Sequence, residues 1–378
     1  MVQNVNSTFS GGGVAEILTR MVPLLCQLGV DARWSVIKGD GAFFEVTKKL
    51  HNGLHGQEVV ISDEDARAFQ ETSRSNIENL RVLGDIMVVH DPQPVALIDS
   101  TEAAGRTWIW RCHIDVSRPS VPAWEFIRPW VEKYDAAVFS APAFARPLPV
   151  RQFLISPSID PLSDKNRELP PETVDAVLVK YDIPRDKPLI VQISRFDYLK
   201  DPLGVIEAFK LVKRSAACRL VLAGGTAADD PWSDRVLRDV RLKAEGDPDI
   251  HVVLMPQGSD LDVNALQRAA TIVVQKSLKE GFGLTVTEAL WKGKPVVASA
   301  VGGITLQVKD KLTGLLCHGI EGTAYSIRQL LGNPEYASWL GQNGREHVRH
   351  NFLITRHLRD YLLLFLALGH PEDVVYLS

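Results

Sequence analysis

Cysteine is scarce: four stand in 378 residues, at Cys26, Cys112, Cys218 and Cys317, with no CxxC pair among them. That spacing excludes a zinc ribbon and a disulfide-built secreted scaffold, so the four are expected as buried thiols in a reducing cytosol. Long apolar runs are missing too. The most apolar stretch, Tyr361 to Leu368, falls far short of the ~20 residues that cross a bilayer, and the N-terminus lacks the basic-then-apolar order of a secretion signal. A cytoplasmic chain without a membrane partner is expected. Neither charge sign dominates, because 42 Lys and Arg face 46 Asp and Glu, a formal net charge of -4. That balance provides no basic stripe for a phosphate backbone, which excludes nucleic acid as a partner. GxGxxG, GxxxxGK[ST] and HExxH are all absent, which argues against dinucleotide dehydrogenases, P-loop enzymes and zincins.

What is present is enough apolar material, 45% of residues, for two cores, and the length exceeds what one core usually fills. Strand and helix patterns alternate from the first residues. Val2 to Asn6 reads as a strand, followed by a glycine turn and apolar residues at helical spacing: Val14, Ile17, Leu18, Met21, Leu25 and Leu28. A strand at Arg33 to Ile37, two polar helical segments, and strands at Asp85 to Val89, Thr107 to Arg111 and Ala136 to Ser140 follow. Ser156 to Asn166, rich in Pro, Ser and Asp, reads as a linker.

Beyond it come strands at Leu189 to Ser194, Leu220 to Ala223, His251 to Met255, Ile272 to Gln275 and Pro295 to Ala298. Helices at Leu203 to Lys213, Asp234 to Ala244, from Val263, and at Leu284 to Lys292 separate them. Such crossovers favour parallel sheets. The pattern predicts two doubly wound α/β domains, 1–160 and 161–351, and a C-terminal helix at 352–378 whose docking the sequence leaves open, with a return to the first domain as one course.

Chemistry concentrates at predicted strand ends. Glu280 to Glu288, EGFGLTVTE, places Gly281, Phe282 and Gly283 between a strand and a helix. Backbone N–H groups near Gly283, Leu284 and Thr285 there suit a diphosphate. Glu280 in the loop and Glu288 one turn into the helix suit sugar and ribose hydroxyls respectively. Two other readings stand beside this one: an acid and nucleophile pair of a glycosidase, which needs carboxyls roughly 5 to 9 Å apart, and an ordinary strand-turn-helix with surface acids. Arg195 and Lys200, after another strand, present a planar fork and a mobile ammonium to one anion; a solvated loop is the plainer alternative.

In the first domain the Ser10 to Val14 loop brings Gly12 and Gly13, with Val14, close to any ligand, or makes a tight turn. His90, Asp91, Pro92 and Gln93 form one polar strand end and Arg111 to Asp115, with His113, another. Hydroxyl-rich ligands need such groups. Asp63, Glu64 and Asp65, and likewise Asp229 and Asp230, read as solvated charge. No metal site and no cofactor are expected.

These motifs together resemble the retaining glycosyltransferases of family four. More narrowly, NVNSTFSGGGVAE, VHDPQP, WRCHID, PSIDPLS, ISRFD and EGFGLTVTEALWKGKPV are similar to segments of the trehalose glycosyltransferring synthases, spread from near residue 4 to about residue 360. The resemblance implies a GT-B fold, two Rossmann-like domains facing a central cleft. It further implies reversible, retaining, metal-independent transfer from a nucleoside diphosphate glucose, UDP- or ADP-glucose for example, to glucose, giving α,α-trehalose.

By the same resemblance Arg195 and Lys200 hold the diphosphate, Glu280 meets the donor sugar and Glu288 the ribose. The donor site further includes Phe282, Gly283, Leu284 and Thr285. His113 and Asp115 lie at the reacting centre, and Gly12, Gly13, Val14, His90 and Gln93 line the acceptor side. The expected partners are small molecules, with a homodimer as the expected assembly. Two departures stand out: Asp201 follows Lys200 where relatives often have Gly, and the chain starts almost on its first strand. A trehalose phosphorylase shares nearly every motif but takes phosphate in place of a nucleotide, another family four transferase is a further option, and an epimerase or a silent binding protein shares the fold alone.

Overall fold

A computed structural model describes residues 1–9, 12–225 and 231–370. The chain divides into two compact units, Met1–Pro157 with the segment from Ile354 on, and Ser158–Leu353. The first unit holds β1 (Val2–Asn6), α1 (Gly13–Gln27), β2 (Ala32–Val36), α2 (Gly41–Leu54), α3 (Asp63–Asn79), β3 (Ile86–His90), β4 (Thr107–Arg111), α4 (Val121–Val131), β5 (Ala136–Phe139) and β6 (Arg151–Leu154). Their sheet runs β2-β1-β3-β4-β5-β6, parallel throughout. All five residues of β1 are buried, as expected of a parallel strand covered on both faces.

The second unit holds α5 (Pro171–Lys180), β7 (Leu189–Ile193), α6 (Pro202–Lys213), β8 (Arg219–Gly224), α7 (Pro231–Ala244), β9 (Ile250–Leu254), α8 (Asp260–Ala269), β10 (Ile272–Gln275), α9 (Leu284–Trp291), β11 (Val296–Ser299), α10 (Ile304–Gln307), β12 (Leu315–Cys317), α11 (Gly319–Gly332) and α12 (Pro334–Asn351). Its sheet runs β12-β11-β10-β7-β8-β9, again parallel. The last helix, α13 (Ile354–Gly369), belongs to the first unit, where Ile354, Leu358, Tyr361 and Leu364 enter one apolar cluster with Ile17, Leu18 and Met21 of α1.

Several local expectations change. Leu28 is not a core position: α1 stops at Gln27, Gly29 turns the chain at φ 86°, and the Leu28 side chain is 61% exposed. Cys26 is exposed, while Cys112, Cys218 and Cys317 are buried. α2 is amphipathic rather than simply polar, burying Phe43, Val46, Leu50 and Leu54. Asp65 is not merely solvated charge. It closes a capping box with Ser62 at the start of α3 and pairs with Lys49, satisfying N–H groups that the helix leaves open. Asp229 and Asp230 lie outside the described residues. No helix of the described residues is long and apolar enough to cross a membrane.

Candidate active site

Open parallel sheets bind ligands at the carboxyl ends of strands where the strand order reverses. In the second unit the reversal falls between β10 and β7, and the two expected donor segments leave those two strands. The β7 loop carries Arg195 and Lys200, and the β10 loop carries Glu280. The Lys200 Nζ lies 2.5 Å from Glu280 Oε2. Ser277 Oγ donates to the same carboxylate oxygen at 3.0 Å. Arg195 is half-exposed, and among the described residues its ion pair is a long one, to Asp197 at 3.9 Å. A guanidinium so weakly engaged is available to an anion.

A frame of amides holds these loops. Gln192, near the end of β7, donates to the Lys200 carbonyl at 3.0 Å and accepts from the Lys276 amide at 3.1 Å, tying the two loops together. Gln275 donates to Ser277 and accepts from Thr285 Oγ1 at 3.2 Å. The departure at Asp201 has a physical account. Asp201 is left-handed, φ 46°, a conformation that glycine adopts freely and Asp tolerates. Its carboxylate also caps α6 by accepting from Gly204 N at 3.0 Å, and it pairs with the buried Lys276.

At the start of α9, Gly283 takes φ 84° and no side chain caps the helix. Its N-terminus is therefore open to an anion. Leu284 packs partly against the core, and Glu288 is 1% exposed, with Gln267 Nε2 at 3.4 Å and Lys165 Nζ at 3.9 Å. Phe282 departs from expectation: its ring is buried in the core, edge-on to Phe352 at 5.5 Å. The hydrophobic effect claims the ring, so the Phe282 side chain anchors the turn in the core.

In the first unit the order reverses between β1 and β3. The glycine loop follows β1, and His90 to Gln93 follow β3. Gly12 takes φ 119° and caps α1 in open space, with Gly13 exposed and Val14 half-buried on the core; Ser10 and Gly11 lie outside the described residues. Gln93 lines a narrow recess with Ser73 and Asn76.

His90 differs from the expected acceptor residue. It is 2% exposed, and both ring nitrogens are engaged, with Asn4 at 3.1 Å and His113 at 3.0 Å. Burial and the Arg111 guanidinium push its pKa down to about 3. His113 is half-buried and is pushed well down by the same two causes. Asp91, left-handed at φ 65°, accepts the His113 amide at 2.7 Å, and burial raises its carboxyl to about 7. Asp115 is buried and accepts from Ser117 N and Oγ, at 3.0 and 2.6 Å. The described residues hold no cluster of three His, Cys, Asp or Glu suited to a metal.

Asn4, Gln192, Gln275, Lys276 and Ser277 escape the sequence reading, because each sits within or just beyond a strand and reads as a routine position.

Residues 4–146 match the family model described as the trehalose synthase N-terminal domain, and residues 175–347 match glycosyl transferases group 1. A trehalose synthase of Pyrococcus horikoshii is 43% identical over 97% of this chain and 89% of that protein. The chain belongs to the trehalose synthase family. It is a glycosyltransferase, and its two parallel sheets form the GT-B fold, shared with OtsA, a trehalose-6-phosphate synthase (TM-score 0.78, 12% identity, 99% of each chain). A trehalose phosphorylase of Pleurotus pulmonarius is more distant, at 26% identity over 82% of this chain and 49% of that protein.

Proposed function

We propose that the chain transfers glucose from a nucleoside diphosphate glucose to free glucose, reversibly and with retention, giving α,α-trehalose. The observation that carries this reading is the Lys200 and Glu280 pair, 2.5 Å apart at the strand-order reversal of the second unit, in a chain so similar to a trehalose synthase along nearly its whole length.

In this reading Arg195, Lys200 and the N-terminus of α9 stabilise the charge that builds on the departing diphosphate. Glu280 orients the donor glucose and Glu288 the ribose. The glycine loop with Val14, and Gln93, select the acceptor, and His113 and Asp115 stand at the reacting centre. The departing phosphate takes the acceptor hydroxyl proton on the same face of the sugar. Positioning and fixed charge therefore dominate catalysis. Arg195 and Lys200 supply the countercharge, and the reaction is metal-independent, so a chelator leaves the rate unchanged.

The test mixes UDP- or ADP-glucose with glucose and follows nucleotide release together with the disaccharide by NMR. Trehalose with release of nucleotide is expected. Trehalose formed only from glucose 1-phosphate, with sugar nucleotides inert, replaces this reading with a phosphorylase, and nucleotide release without a disaccharide defeats both.

A further inference from the structure

Three side chains from three neighbouring strands stand in line in the first unit. Asn4 comes from β1, His90 ends β3, and His113 follows β4, an arrangement set by the register Asn4 to Val88 and His90 to Arg111. His90 Nε2 meets Asn4 Oδ1 at 3.1 Å, and His90 Nδ1 meets His113 Nε2 at 3.0 Å. The two imidazoles lie near parallel, 19° apart with centroids separated by 5.3 Å. Asn4 is fully buried, whereas His113 at the far end of the line is half-buried.

A neutral imidazole has one donor and one acceptor nitrogen, so such a line has a direction. An amide oxygen only accepts, which requires the proton of His90 on Nε2. His90 Nδ1 is then bare and accepts, which requires the proton of His113 on Nε2. The lone pair of His113 is left on Nδ1. The surroundings oppose a second proton on either ring. Arg111, fully buried and donating to Ser140 Oγ at 3.1 Å, sets a positive field at both rings; His357, which also faces His113, is itself held neutral by burial and by Arg356 beside it. The nearby acid Asp91 engages the His113 backbone amide rather than its ring.

We propose that Asn4 and His90 are positioning residues that fix His113 as the Nε2–H tautomer, so that His113 offers Nδ1 as a hydrogen-bond acceptor to a sugar hydroxyl. This rests on the reading of His113 as a group at the reacting centre. His113 then orients the hydroxyl as a neutral acceptor, and no proton leaves the sugar for the ring.

The test uses the full chain with 15N-labelled histidine and long-range proton-nitrogen NMR without substrate. The expected spectrum at neutral pH has His90 and His113 both neutral and protonated on Nε2. Asn4→Asp places a carboxylate beside His90, favours its doubly protonated form, and so makes Nδ1–H of His90 donate to His113. His113 then changes to the Nδ1–H tautomer, and kcat falls at least tenfold, as a wrong tautomer does elsewhere, with less change in donor KM. Asn4→Leu, which keeps the volume, leaves His113 a mixture of tautomers.

A wild-type His113 protonated on Nδ1, or one whose tautomer ignores both substitutions, overturns the proposal. A changed tautomer with unchanged kcat overturns the positioning role. If wild-type chain shows the expected spectrum but transfers no sugar, the transfer reading fails while the tautomer assignment stands.

Discussion

The Lys200 ammonium sits 2.5 Å from the Glu280 carboxylate, with only 20% and 9% of the two side chains exposed. The pair joins the loops of two adjacent strands, so one contact both holds the fold and sets the charge at the proposed diphosphate site. Removing one partner leaves the other buried and uncompensated. Lys200→Met is expected to lower stability by about 3 kcal/mol, the low end for a buried pair because water still reaches Lys200, and to lower kcat by about 10²- to 10³-fold, as loss of a preorganised electrostatic donor does. Adding Glu280→Gln should restore most of the stability and none of the rate. Urea midpoints and steady-state kinetics on the three proteins check this; recovery of activity in the double variant places the anion site elsewhere.

Asp201 makes a second prediction because it does three things at one position: it takes φ 46°, caps α6 and neutralises Lys276. Asp201→Ala loses the cap, about 1 kcal/mol, and adds a left-handed alanine, about 1 kcal/mol more, while leaving Lys276 unpaired. Asp201→Gly loses the cap and the Lys276 pair as well but avoids the backbone cost. The expected order of denaturation midpoints is wild type, then Asp201→Gly, then Asp201→Ala. A glycine variant more stable than wild type would mean that the cap and the Lys276 pair together contribute less than the left-handed backbone costs.

Much of this architecture is legible in the sequence for a physical reason. Buried parallel strands such as Leu189–Ile193, all five residues buried, appear as continuous apolar runs between turns. Two strands are not legible: β6, Arg-Gln-Phe-Leu, is an edge strand with mostly exposed side chains, and β12 spans three residues. α4, α5, α10, α11 and α12 also go unread. The site divides the same way. Glu280, Arg195 and Lys200 stand in loops after strands, where polar residues signal ligands. Asn4 and Gln192 sit inside strands, and their roles depend on which strands become neighbours, which no local pattern encodes.

Acid should destabilise the first unit. His90 is lowered to about 3, and His113 and His357 are held well below the ordinary value, so the unfolded chain takes up protons below ~6.5 that the folded chain refuses. Their contribution is full above ~6.5 and is lost as pH falls. Asp91 works the other way: raised to about 7, its folded carboxyl keeps a proton that the unfolded chain loses above ~4, so its contribution is full below ~4 and is lost as pH rises through 7. Three histidines oppose one aspartate, and a net loss of stability from pH 7 to 5 is expected. Asp91→Asn keeps the acceptor for the His113 amide and removes the opposing effect, so its loss should be steeper. Urea titrations at half-unit pH steps measure both slopes, and parallel slopes refute the shift at Asp91.

The last prediction concerns a residue that touches no proposed ligand. Gly303 has φ -68° and ψ -10°, which any residue adopts, so backbone freedom does not require glycine there. Space does: a Cβ would meet the Gly281 carbonyl oxygen at 2.5 Å and Phe282 Cα at 2.7 Å. The Gly281–Phe282 turn is pinned by the Phe282 ring in the core and by Gln307, which donates to the Phe282 carbonyl. Gly303→Ala must therefore displace the turn that leads into the N-terminus of α9, moving its N–H groups away from the proposed phosphate site. An expected rise in donor KM of about tenfold follows from losing roughly one good hydrogen bond, with little change in the circular dichroism spectrum. Gly322→Ala is the control, since its Cβ would meet only Cys317 Cβ, at 3.7 Å. Equal donor KM in both variants would show that the turn does not position the donor.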